Sequence, residues 1–175
     1  MEIPRGKTGL AMLRYSQASI VAVIDQQCAS QSIPELTGIQ REVPIVASVQ
    51  QALAYKPNVL VLGLAPSGGA LPPAWRQEIK QAIAAGLSVV NGLHTPMGND
   101  PDLAVLVGEN QWIWDVRQEP PGLTVGSGEA SSLSCRRVLA VGTDMSVGKM
   151  STNLELHRAS LRRGLRSKVI ATGQT

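Results

Sequence analysis

Residues 138–152, VLAVGTDMSVGKMST, place an apolar β-type run before a glycine-bounded turn, and a lysine after the turn opens a helical pattern. No other stretch narrows the fold so far. A turn from Gly142 to Gly148 lets consecutive backbone N–H groups converge on an anion, and the helix that follows adds the positive end of its dipole. Lys149 brings a mobile charge to the outer phosphates. The expected phosphate-binding segment is therefore Gly142, Thr143, Asp144, Met145, Ser146, Val147, Gly148, Lys149, Met150 and Ser151.

The segment departs from the usual Gly-x4-Gly-Lys-Ser/Thr pattern in two ways. Five residues separate Gly142 from Gly148, and Met150 stands where a magnesium-binding hydroxyl is expected. Ser151 lies one position on, about 100° further round the helix, so it does not simply replace the missing ligand. No metal-ligating residue is assigned, and magnesium stays open as a companion of ATP. Loops with five-residue spacing occur in dethiobiotin synthetase and its relatives, which Gly142-Thr143-Asp144 and Val147-Gly148-Lys149 resemble. That resemblance implies ATP-dependent ligation or hydrolysis.

A chain of 175 residues holds one sizeable domain, or a small domain and part of another. Aromatics make up 3% and phenylalanine is absent, so the core must be Val, Leu, Ile and Ala, as in parallel sheets covered by helices. The net charge of +3 is uneven: residues 136–168 carry eight basic side chains against Asp144 and Glu155. Because Arg158, Arg162, Arg163 and Arg166 are not interleaved with aromatics, the pattern favours a small anionic nucleotide ligand over nucleic acid, or else a solvated helix face. Cys28 and Cys135 lack metal-like spacing, which fits a reducing cytoplasm and two buried or inert thiols. No signal peptide is recognisable, and the apolar run at residues 59–65 is too short to span a membrane.

Before residue 118 strands and helices alternate, which predicts a parallel sheet with right-handed crossovers. Helices are expected at residues 10–15, 48–55, 73–85 and 101–107, strands at 19–24, 44–47, 59–63, 87–90 and 112–114. Trp75, Ile79 and Ile83 share a face of the third helix and are placed in the core. Gly6-Lys7-Thr8 looks like half a phosphate loop with no strand before it. Asp25 ends a strand, where it holds a ribose hydroxyl or caps a turn. Ser67, Gly68 and Gly69 form a loop at the carboxyl end of a strand, the side on which open α/β sheets bind ligands. His94 occupies a second such loop and is the candidate general acid or base, or an ordinary loop histidine. Residues 118–135 are rich in Gly, Pro and Ser and read as a linker, in which a hairpin at residues 123–125 is an option. Strand 137–141, helix 149–163 and strand 168–171 make one βαβ unit, few strands for a covered parallel sheet.

Taken together, Gly142 to Thr152, the run 154–158, the Ala171-Thr172-Gly173-Gln174-Thr175 run and the earlier Gly6-Lys7-Thr8, residues 21–25, residues 65–69, residues 72–76 and Gly92-Leu93-His94 resemble a bacterial two-domain family, that of the D-glutamate N-acetyltransferase (DgcN) type. The resemblance covers essentially the whole chain. It implies an α/β architecture: a Rossmann-like parallel-sheet domain at residues 1–117, a linker at 118–135, and at 136–175 the first βαβ unit of a P-loop NTPase-like domain, incomplete. It also implies that lysine followed by methionine is usual in the family, so the loop holds phosphates without magnesium-assisted hydrolysis. The first half further resembles CoA-binding domains of acyl-CoA ligases at the level of fold.

Three readings follow. The first is acetyl-CoA-dependent N-acetylation of an acidic amino acid, with His94 as base and the backbone of residues 67–69 as oxyanion donors. The second is an ATP-dependent ligase or NTPase. The third is a non-catalytic nucleotide-binding protein or truncated remnant, expected to be partly unfolded in isolation. A cytoplasmic homo-oligomer without nucleic-acid or membrane partners is expected throughout.

Overall fold

The computed structural model describes residues 6–64, 66, 71–119, 121–144 and 147–171. The chain divides into two compact units, Met1–Glu119 and Pro120–Thr175.

The first unit runs α1 (Lys7–Tyr15), β1 (Val23–Ile24), α2 (Ile33–Thr37), β2 (Ile45–Val46), α3 (Val49–Ala52), β3 (Val59–Val61), α4 (Pro73–Ala84), β4 (Ser88–Asn91), α5 (Pro101–Ala104) and β5 (Ile113–Asp115). Local chemistry explains most boundaries. Ser48 Oγ accepts from the Gln51 amide at the start of α3, and Asp100 caps α5 through the Asp102 amide. Pro73 opens α4, and Gly86 beyond its end takes φ +95°. The short helix α2, capped by Ser32, had no counterpart in the sequence reading.

Among the described residues all strand pairs are parallel, as the alternation predicts, but they form two sheets, β1-β2 and β3-β4-β5. Cross-strand neighbours share a face. The row Leu60, Val89, Ile113 packs with Ile79, Ile83, Leu93, Met97 and Leu103 from α4, α5 and the intervening loops. The opposite row, Val61, Val90, Trp114, points away from that cluster, and Val61 is 38% and Trp114 60% exposed. Strand β3 was expected to be fully buried; as an edge strand with one face outside the cluster, it is not. Trp75 is likewise half-buried rather than in the core, whereas Ile79 and Ile83 are fully buried.

Both sheets share helical backing, since Ile24 of β1 and Leu60 of β3 pack on Val49, Ala82 and Leu87. Helix α1 meets the end of β3 through a 2.7 Å bond from the Gly9 amide to Gly63 O. A Cβ on Gly63 would lie 2.9 Å from Gly9 Cα, so this approach needs glycine. Arg41 closes the other end of α1, donating to the carbonyls of Met12, Leu13, Ser16 and Ala18. Arg76 on α4 forks onto Asp100 with two 2.7 Å bonds and reaches Asp102, which Lys80 also approaches. Their hydrogen bonds to Arg76 hold both carboxyls below the usual carboxylate range and the guanidinium above its own.

The second unit contains α6 (Lys149–Arg162) and a 3-10 turn at Glu129–Ser132. Among its described residues none is buried, and the runs 137–141 and 168–171, read as strands, pair with nothing. The physical reason is that an apolar run such as Val138, Leu139, Val141 needs sheet neighbours to cover it, and here these side chains are 70–80% exposed. The same absence of a core leaves Cys135 exposed, so of the two thiols expected to be buried or inert only Cys28 is buried. The proposed hairpin at residues 123–125 does not form. Among the described residues no helix is long and apolar enough to cross a membrane, and no cluster of metal-ligating side chains occurs.

Candidate functional site

The described residues on the two sides of the turn, 142–144 and 147–151, approach each other. Lys149 Nζ donates back to the carbonyl of Asp144, and a Cβ on Gly142 would lie 2.8 Å from Val147 Cγ2. Gly148 turns the chain into α6 at φ +95°, a conformation that disfavours any side chain. The helix has no side-chain cap and no acidic residue in its first turn. Among the described residues the amides of Val147, Gly148, Lys149, Met150 and Ser151 donate to nothing, whereas Thr152 N and Oγ1 both bond Gly148 O. Met150 and Ser151 are exposed on the first turn. These orphan donors beside an ammonium group are the chemistry an oxyanion requires. Met145 and Ser146 lie outside the described residues.

In the first unit the sheet's carboxyl ends carry the other candidates. Asp25 Oδ1 accepts from the amides of Gln27 and Cys28, so the carboxylate caps a turn. Ser67, Gly68 and Gly69 lie outside the described residues. His94 is exposed on the loop after β4, with no hydrogen bond or ion pair to its ring among the described residues. Nothing places Asp25 beside His94, and the phosphate segment belongs to the other unit.

Comparison with known proteins bears directly on this arrangement. Residues 26–119 match the family described as "Domain of unknown function (DUF1611_N) Rossmann-like domain", and residues 124–175 match "Domain of unknown function (DUF1611_C) P-loop domain". The chain belongs to the DUF1611 family. Its architecture is accordingly α/β, a Rossmann-like domain followed by a P-loop domain. A crystal structure of a DUF1611 family protein from Anabaena variabilis ATCC 29413 superposes with a TM-score of 0.91 at 63% identity, over 97% of this chain and 50% of that one. Two proteins named D-glutamate N-acetyltransferase, from Tritonibacter scottomollicae and a Pseudoalteromonas species, are 35% and 36% identical over 73% of this chain. The chain spans 38% of the length of each of these curated relatives.

Within this DUF1611 chain the structure also shows what sequence reasoning missed, the support of the His94 loop. Asn91 and Asp115, at the ends of β4 and β5, are both buried. Asp115 Oδ1 accepts from Asn91 Nδ2 at 2.6 Å, and its two oxygens take the amides of Met97 and Gly98. Asn91 also donates to Thr95 O and accepts from the Leu93 amide, while Arg117 Nε donates to Gly92 O at 2.7 Å. The backbone on both sides of His94 is thereby fixed. The available signal was an aspartate directly following an apolar strand, a position that faces ligands in open α/β sheets.

Proposed function

We propose that this chain binds the phosphates of a nucleotide-containing acyl donor through residues 142–151 and serves N-acetylation of an acidic amino acid of the D-glutamate type. The observation that carries the reading is the return of Lys149 Nζ to the carbonyl of Asp144, beside amides at the start of α6 that have no acceptor among the described residues. The relatives' activity name supports the choice of reaction. Acetyl-CoA, when bound, supplies the acetyl group as an activated thioester together with phosphates that a loop of this type can hold. Lys149 and the amides of residues 147–151 are assigned to those phosphates. His94, exposed on a fixed loop, is assigned to removing a proton from the substrate's ammonium group. The backbone of Ser67, Gly68 and Gly69 is retained as the candidate oxyanion donor.

Calorimetric titration of CoA, ATP and ATP with magnesium into the wild-type chain and Lys149→Ala tests the reading. CoA binding weakened about 10- to 100-fold in the variant is expected, the loss of a charge-assisted bond worth about 1.5–3 kcal/mol. Equal binding by both proteins, or none by either, would refute it. The dethiobiotin synthetase-like loop spacing favours a second reading, which magnesium-dependent ATP turnover abolished by Lys149→Ala would establish instead.

A further inference from the structure

We propose that Arg117 is a carboxylate-recognition residue, holding the acidic substrate against the His94 loop at the carboxyl ends of β4 and β5. The choice of an acidic amino acid rests on the reading above; the site itself rests on geometry. Arg117 is half-buried and spends one N–H, that of Nε, on Gly92 O at 2.7 Å. Its two terminal nitrogens have no partner among the described residues, and no carboxylate pairs with it there. A guanidinium has five N–H donors, so four remain in a planar fork that matches a carboxylate's two oxygens. Because Nε is already anchored, ordering of the side chain is largely complete before any ligand arrives.

The surroundings favour an incoming anion. Asp115, two residues before Arg117, turns its carboxylate inward and accepts from Asn91, Met97 and Gly98, so it does not compete for the fork. Gly92, to which Arg117 is tied, stands two residues before the exposed His94. A lysine would satisfy Gly92 O equally well as a structural pin but would leave no planar fork.

The test is titration of glutarate and of D-glutamate into the full chain and its Arg117→Gln and Arg117→Lys variants, followed by calorimetry. A parallel series follows the Arg117 Nε–H resonance of the wild-type protein by NMR. The wild-type chain is expected to bind both ligands and to shift that resonance. Arg117→Gln should weaken both at least tenfold, and Arg117→Lys should weaken them less. Failure of the wild-type chain to bind either ligand overturns the proposal, as does binding that Arg117→Gln leaves unchanged. Should Arg117→Gln not fold, the Nε–H shift and Arg117→Lys decide. Carboxylate binding through Arg117 without CoA binding supports this site and refutes the acetyl-transfer reading. CoA binding without carboxylate binding does the reverse.

Discussion

Replacing Asp115 by alanine isolates the contribution of one buried carboxylate to the His94 loop. The side chain is 7% exposed and accepts from three donors, Asn91 Nδ2, Met97 N and Gly98 N, at 2.6 to 3.1 Å. Asn91 retains Thr95 O as a second acceptor, so the uncompensated loss falls on the two backbone amides. Each buried donor left without an acceptor costs about 1–3 kcal/mol. Against this, removing a buried carboxylate also removes its desolvation cost, which offsets part of the loss. The donors are close and present on both oxygens, so the bonds outweigh the offset and the net expectation is about 2–4 kcal/mol of lost stability. At about 2–4 °C per kcal/mol for a protein of this size, the melt should drop by roughly 4–16 °C. Circular dichroism melts measure the total, and hydrogen exchange at Met97 and Gly98 locates it. A variant within about 1 kcal/mol of wild type, or unchanged protection at those two amides, would refute the reasoning.

Other perturbations reach different parts of the fold. Gly63→Ala drives a Cβ to 2.9 Å from Gly9 Cα, and the expected loss is about 1–3 kcal/mol with weakened protection of the Gly9 amide. Arg76 depresses the carboxyl of Asp100, and Arg76 together with Lys80 depresses that of Asp102. Their contribution is therefore full above the unfolded value near pH 4 and is lost as pH falls below it. Arg76→Gln should flatten that acid limb in urea melts taken between pH 5 and 2, and a limb that keeps its slope would exclude these pairs as its source.

How much of this was readable in the chain follows from the range of each interaction. Ser48, Asp100, Pro73 and Gly86 act within a few residues, and the helix ends they mark were correctly placed to within a residue or two at the capped side. The parallel pairing was legible for the same reason, because strands alternated with helices. The strands themselves are only two to four residues long, so their boundaries shifted. Leu87 fell outside β4 and Asn91 entered it. The pair Asn91 and Asp115 joins positions 24 residues apart, and Arg117 reaches back 25 to Gly92. No local spacing encodes such contacts; they exist only once β4 and β5 lie side by side. Likewise the exposure of Val61 and Trp114 depends on which face the helices cover, a matter of packing that composition cannot convey.

The two candidate sites differ in how firmly each is held, and that difference bears on affinity. Around His94 the backbone is fixed by side chains from the ends of two adjacent parallel strands, so a ligand arriving there finds the loop already shaped. The described part of the phosphate segment shows two returns, Lys149 to Asp144 and Thr152 to Gly148, while the apolar run before it pairs with no strand among the described residues. Each residue of that segment whose backbone an anion orders costs about 1–2 kcal/mol of the interaction. Cover over Val138, Leu139 and Val141 would remove much of that cost without adding a contact to the ligand. Burial of an apolar run and strength of phosphate binding are in this way one thermodynamic quantity seen from two ends of the same segment.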